Sequence, residues 1–178
     1  MPLLSRQDLD FWLYDMLDTE GLLQHPRYSD HSRETFSQTL DTAEQVAEKY
    51  FAPHNRKADE QEPWFDGEQV HTLPEIKTAF QHYVASGLLN ARLDFAEDGM
   101  QLPHVVAAAC TGYVSCANPA SAGYPFLTMA AANLIRHFAS PELQKRYLPL
   151  MRTGQAAGTM ALTEPDTGSS LADIRTSA

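Results

Sequence analysis

The residues best suited to chemistry gather near the C-terminal end of the sequence, in "GTMALTEPDTGSS" (Gly158 to Ser170). Pro165 presets the backbone for the second position of a turn, and Gly168 is free to adopt the positive φ that points consecutive N–H groups into one concavity. Such a nest takes an anion without a cationic side chain. The Ser169 and Ser170 hydroxyls add donors beside it, enough for the pyrophosphate of a dinucleotide. Just upstream, the backbone groups of a strand edge at Leu162 and Thr163, with the Thr163 hydroxyl, suit the polar rim of a planar heteroaromatic ring. The same spacing also fits a plain surface turn that closes a strand.

The other reactive residue types are less organised. Glu164 is the nearest carboxylate, but its place beside Pro165 makes it part of the turn. The seven histidines are scattered, with no partner pattern for a triad or a metal site. His82 and His137 fall on amphipathic helices and are expected at the surface or half-buried. Cys110 and Cys116 lack C-x-x-C spacing and a neighbouring histidine cluster, so no metal is expected and both read as buried free thiols of a reducing compartment.

Composition narrows the class. Thirteen Lys and Arg stand against 23 Asp and Glu, a formal net charge of -10, which disfavours a general nucleic-acid or anionic-membrane surface. Every apolar run is broken by charge before 18 residues, and "MPLLSRQDLD" lacks the basic start and apolar core of a secretory signal, so a cytoplasmic protein without a membrane span is expected.

The elements that must position the turn are helices. Ser5 and Asp8 form a capping pattern, after which Leu9, Trp12, Leu13, Met16 and Leu17 recur on one face, with Gly21 as the stop. "GLLQHPRYSDHS" reads as a loop, and a long amphipathic helix follows from about Arg33 to Phe51, stopped by Pro53. A polar, breaker-rich connection comes next, in which Trp64 and Phe65 are candidate anchors onto the helical body. Pro74 opens a third helix carrying Ile76, Phe80, Tyr83 and Val84, ending at Gly87. His104 to Ala117 is small-residue-rich, as suits a central helix, and Asn118 and Pro119 end it. A fifth helix is expected from about Tyr124 to Phe138, aligning Phe126, Ala130, Leu134 and Phe138. A sixth has Ser140 as N-cap and Pro141 at its first position. Gly154 then releases the chain into the expected strand.

Taken together, "FASPELQKRYLPLMRTGQAAGTMALTEPDTGSS" closely resembles the acyl-CoA dehydrogenase signature, in which a G-S-x-E-x-K-x-x-Y-L-P helix leads into A-L-T-E-P-x-x-G-S-D. "EDGMQLP" is similar to the family's E-x-G-G-x-x-L-P loop, and the helix at Leu9 to Leu17 resembles the start of a subgroup with a longer N-terminus. Three positions depart from the pattern: Met100 replaces the second glycine, Ala139 the glycine before the sixth helix, and Ser170 the aspartate. The backbone donors and Ser169 remain.

The resemblance implies an all-α fold, a helical bundle of about six helices, ending in the first strand of a truncated β domain. The expected division is residues 1–154 for the helical domain and 155–178 for the start of the middle β domain. It further implies FAD-dependent α,β-dehydrogenation of an acyl-CoA thioester. Met160, Leu162 and Thr163 would line the flavin ring, and Gly168 and Ser169 would contact its phosphate side. Ser169 would also lie close to the CoA portion of the substrate, with Tyr124, Phe126 and Ala130 bordering the acyl channel between the fourth and fifth helices. The family's catalytic base has no match here, so no catalytic residue is assigned. An electron-transfer flavoprotein-like acceptor and a homo-oligomer are the implied partners. The alternative is a non-enzymatic helical module that binds a partner through the same fold, and an acyl-CoA oxidase or flavin monooxygenase fits the motif equally.

Overall fold

The computed structural model describes residues 2–177, and its regular structure is almost wholly helical. The N-terminal helix α1 spans Arg6–Asp10 and continues as a wider turn of helix through Phe11–Met16. Ser5 caps it as expected, its hydroxyl accepting the Asp8 N–H at 3.2 Å. The stop is not Gly21. The helix ends at Leu17, where Asp18 takes a left-handed φ of 43°, and the expected loop is wound into short 3₁₀ turns at Thr19–Gln24 and Pro26–Tyr28. Of the apolar face, Leu13 is buried, whereas Trp12, Met16 and Leu17 are exposed.

Helix α2 (Arg33–Val46) starts from a complete capping box between Ser32 and Thr35. It widens through Ala47–Phe51 and ends, as expected, before Pro53. Pro53 lies in a 3₁₀ turn (Ala52–His54) rather than a loop, and a seventh helix that the periodicity misses, α3 (Asn55–Glu60), follows at once. It is too short and polar to show an apolar stripe. The rest of the connection forms a hairpin, β1 (Trp64–Phe65) antiparallel to β2 (Val70–His71). Trp64 and Phe65 do not anchor it, being 59% and 63% exposed; the Trp64 ring stacks instead on the His71 imidazole.

Helices α4 (Pro74–Ala85) and α5 (His104–Ala117) fall where their sequence places them. Leu40 and Ala43 of α2 bury their side chains in one cluster with Cys110, Tyr113 and Val114 of α5, which Phe51, Phe80 and Tyr83 close, while Phe36 packs in a second cluster with Leu102, Val106 and Ala107. Such burial contributes about 1.5–3 kcal/mol for each large side chain. Burial also pushes the Cys110 thiol up to about 12, which makes it unreactive at neutral pH, while Cys116 is exposed, contrary to the sequence expectation.

Helix α6 (Pro119–Phe138) begins five residues before the expected position. Asn118 explains this. Its extended backbone ends α5, and its buried side chain caps α6, Oδ1 accepting the Ser121 N–H at 3.0 Å while Nδ2 donates to the Phe51 carbonyl at 3.2 Å. Pro119 therefore occupies the first helical position rather than acting as a breaker. Helix α7 (Pro141–Arg152) is capped by Ser140 as expected and packs on α6; Gly154 then turns the chain at a φ of 69°.

Candidate functional site

After Gly154 the chain crosses α6. The Gly158 N–H donates to the Thr128 hydroxyl at 3.0 Å, and Thr128 in turn donates to the Tyr124 carbonyl at 2.7 Å. A side chain at 158 would not fit, since a Cβ would lie 2.6 Å from that of Ala131 and 2.8 Å from the Leu127 carbonyl oxygen. Backbone and helix thus meet at their closest where glycine and threonine coincide.

Past this crossing the expected strand has no ladder. Residues 159–163 carry no regular structure, because nothing among the described residues lies alongside to pair with them. The first pairing comes in the turn itself, where Glu164 and Thr167 exchange both backbone hydrogen bonds, at 3.0 and 3.1 Å. Gly168 does not take the positive φ that the sequence suggested, so the turn is closed by this reciprocal pair and not by a nest. Open space surrounds its α-carbon.

Glu164 has the structural role expected of it. Its carboxylate accepts from the Thr176 hydroxyl at 2.5 Å and from the Arg175 and Thr176 N–H groups at 3.1 and 2.8 Å, folding the tail back onto the turn. These bonds, the Thr176 hydroxyl foremost, hold the carboxyl below its usual range.

Met160, Leu162, Thr163, Gly168 and Ser169 are all exposed on this one segment. The residues named for the acyl channel separate. Phe126 and Ala130 are exposed on α6, in line with Leu134 and Phe138, whereas Tyr124 turns inward and packs against the core. The outer line is strongly apolar: Phe126, Leu134 and Phe138 are 58%, 62% and 84% exposed.

Another flank of α6 borders a cavity of about 710 Å³ between α5, α6, α7 and the 88–93 segment, and Phe126 sits at its edge. Leu89, Ala107, Met129 and Leu148 line its wall. Arg92, Arg136 and Arg152 also border it. The "EDGMQLP" loop braces this side: the Glu97 carboxylate binds both the Arg136 and the Arg152 guanidinium, tying the loop to α6 and α7. Gly99 is required there, as a Cβ would lie 2.1 Å from the Leu93 carbonyl oxygen, whereas Met100, in place of the second glycine, packs against the Phe36 and Leu102 cluster. Sequence reasoning missed Thr128, Glu97, Arg136 and Arg152, whose partners lie 30 to 55 residues away.

The all-helical fold agrees with the resemblance read from the sequence, and comparison with known proteins shows the family. The chain belongs to the acyl-CoA dehydrogenase family: the family model "Acyl-CoA dehydrogenase, N-terminal domain" matches residues 33–155. It is 32% identical, over 98% of its length, to a butyryl-CoA dehydrogenase of Syntrophomonas wolfei. It is 30% identical over 97% to the broad-specificity linear acyl-CoA dehydrogenase FadE5 of Mycobacterium tuberculosis. It is also 37% identical over 60% to a 3-methylmercaptopropionyl-CoA dehydrogenase of Ruegeria pomeroyi. The chain spans 29%, 28% and 18% of these relatives.

Proposed function

We propose that this chain is the N-terminal part of an FAD-dependent acyl-CoA dehydrogenase, and that residues 155–178 begin its β domain. The observation that carries this reading is the exposed "MALTEPDTGS" segment fixed across α6. Its fit to a flavin rests on its free groups. Among the described residues the backbone N–H and C=O groups of 159–163 have no hydrogen-bond partner, and Met160 and Leu162 present apolar side chains to the same solvent. A planar ring with an apolar face and a polar rim satisfies both.

FAD, when bound, supplies the acceptor for the substrate's β hydrogen as hydride. This chain's residues do the rest of what lies within it. Met160, Leu162 and Thr163 orient the ring, Gly168 and Ser169 donate to the phosphates, and Phe126 and Ala130 form an apolar wall that keeps water from the acyl chain. The Glu164 carboxylate is held by its own tail, and the lowered pKa that results makes it a poor proton acceptor, so removal of the α proton is assigned to none of these residues.

The test uses the gene product at its natural length. We expect it to retain FAD through gel filtration and to pass electrons from an acyl-CoA to an artificial acceptor, with Ser169→Ala raising KM for the thioester. A natural product that binds neither FAD nor acyl-CoA defeats this reading and leaves the partner-binding module, which the exposed Phe126–Phe138 line favours. For the present chain alone, FAD binding weaker than micromolar is expected, because one segment cannot enclose a two-ended cofactor; tight one-to-one binding in a titration contradicts this.

A further inference from the structure

We propose that a second cavity, between α2 with its lead-in and the segment joining α4 to α5, is a binding site for a small organic cation rich in N–H donors, with an alkylguanidinium as the type. The cavity holds about 540 Å³, within the range usual for small-molecule sites. It shares no lining residue with the cavity between α5, α6 and α7 and does not depend on the flavin reading.

What singles it out is a polar wall with lone pairs to offer and almost no protons. Thr35, Thr39 and Thr42 of α2 give their hydroxyl protons to the Ser32, Thr35 and Gln38 carbonyls at 2.8, 2.8 and 2.9 Å, and Ser86 gives its own to the Tyr83 carbonyl at 2.8 Å. With those protons committed, the oxygens can only accept. His31 is committed as well: its Nε2 lies 3.2 Å from the Gln101 carbonyl, which has no proton to give, so Nε2 donates and Nδ1 of the neutral ring is left as an acceptor. Only the Gln38 amide keeps an N–H, its other one going to Glu34.

Charge points the same way. Neither lysine nor arginine lines the cavity, and Asp30 brings it a carboxylate that no cation pairs among the described residues. A guanidinium, all donors and no acceptor, is the complement of such a wall. Phe95 and Met100 supply apolar surface for its stem, and the Phe95 ring suits a planar cation. The loop that carries them is fixed through Gln101, whose carbonyl accepts from His31 and whose Nε2 donates to the Arg27 carbonyl, so binding needs little further ordering.

The probe is n-butylguanidinium, titrated into the ¹⁵N-labelled chain at constant ionic strength. Tetramethylammonium, which keeps the charge without an N–H, and butanol, which keeps the stem without charge, are the controls. Saturable shifts are expected at the Thr39, Thr42 and Ser86 amides, with both controls about tenfold weaker or worse. Asp30→Asn, at an exposed position, and Thr42→Val, which keeps the shape, are each expected to weaken binding about tenfold. N-acetylarginine amide separates the two sources of this head group: tighter binding than butylguanidinium supports an arginine side chain of a polypeptide, and equal or weaker binding supports a free small molecule. The proposal is overturned if tetramethylammonium matches butylguanidinium, if both variants bind like the parent, or if the cavity amides show no saturable shift.

Discussion

The hydroxyl of Thr128 and the amide of Gly158 hold the last segment against α6: a buried side chain accepts, at 3.0 Å, from a backbone 30 residues further on. Thr128→Val keeps the shape but leaves the Gly158 N–H without its acceptor, a loss of about 1 kcal/mol or somewhat more. Gly158→Ala drives a methyl group into Ala131 and the Leu127 carbonyl, at a cost of about 1–3 kcal/mol. Both changes lift the same segment, so together they should cost less than their sum. Urea denaturation of the two single variants and the double variant checks this, and the amide at position 158, which donates to Thr128, should exchange faster in all three.

Glu164 ties the tail to the turn only while ionised. Its carboxyl is held below the usual range by the Thr176 hydroxyl and the Arg175 and Thr176 N–H groups, so its contribution is present above that range and is lost as pH falls through the lowered value. Residues 174–176 should therefore stay ordered at neutral pH and loosen only in strong acid, whereas Glu164→Ala should free them at every pH. Amide line widths for Arg175 and Thr176 against pH report both.

His54 titrates in the opposite setting. It is 3% exposed, with Nε2 2.8 Å from the Ser121 hydroxyl, and burial lowers its pKa despite the opposing pull of the Glu75 carboxylate; Lys57 adds to the lowering. The unfolded chain then binds a proton more readily than the folded one. Stability is full above the unfolded value of about 6.5 and declines as pH drops below it. His54→Gln, which can still meet Ser121, should flatten the difference in urea midpoint between pH 7.5 and pH 5.5; an unchanged difference assigns it to other groups.

Local signals were legible where one residue decides the outcome. Ser5 and Ser140 cap their helices, Pro74 and Pro141 open theirs, and the α5 limits follow from its run of small residues. Pro119 misled because a proline stops one helix and starts another equally well, and only the buried Asn118 side chain, reaching to Phe51, shows which. Gly168 misled for a related reason: glycine permits a positive φ without requiring it, and the Glu164 and Thr167 exchange made none necessary. The cavity was invisible for want of any periodicity linking Arg92, Arg136 and Arg152. Trp64 and Phe65 show that aromatic type does not fix burial.

The line Phe126, Ala130, Leu134 and Phe138 is the sharpest such case, because the helical period found it correctly but not its surroundings. Helix α6 has two apolar sides, and the small residues Ser121, Ala122, Pro125 and Thr128 are the ones buried. Close packing favours them, since they let neighbouring backbones approach, and the large residues are left in solvent. An uninterrupted apolar line of that kind drives association. In this chain on its own, with Leu143 and Tyr147 of α7 exposed nearby in sequence, it should produce concentration-dependent self-association. Leu134→Lys with Phe138→Lys should abolish this without loss of stability, as neither side chain is part of the core. Sedimentation velocity over a hundredfold range of concentration decides the matter, and a parent chain that stays monomeric throughout removes any role for this line in self-association.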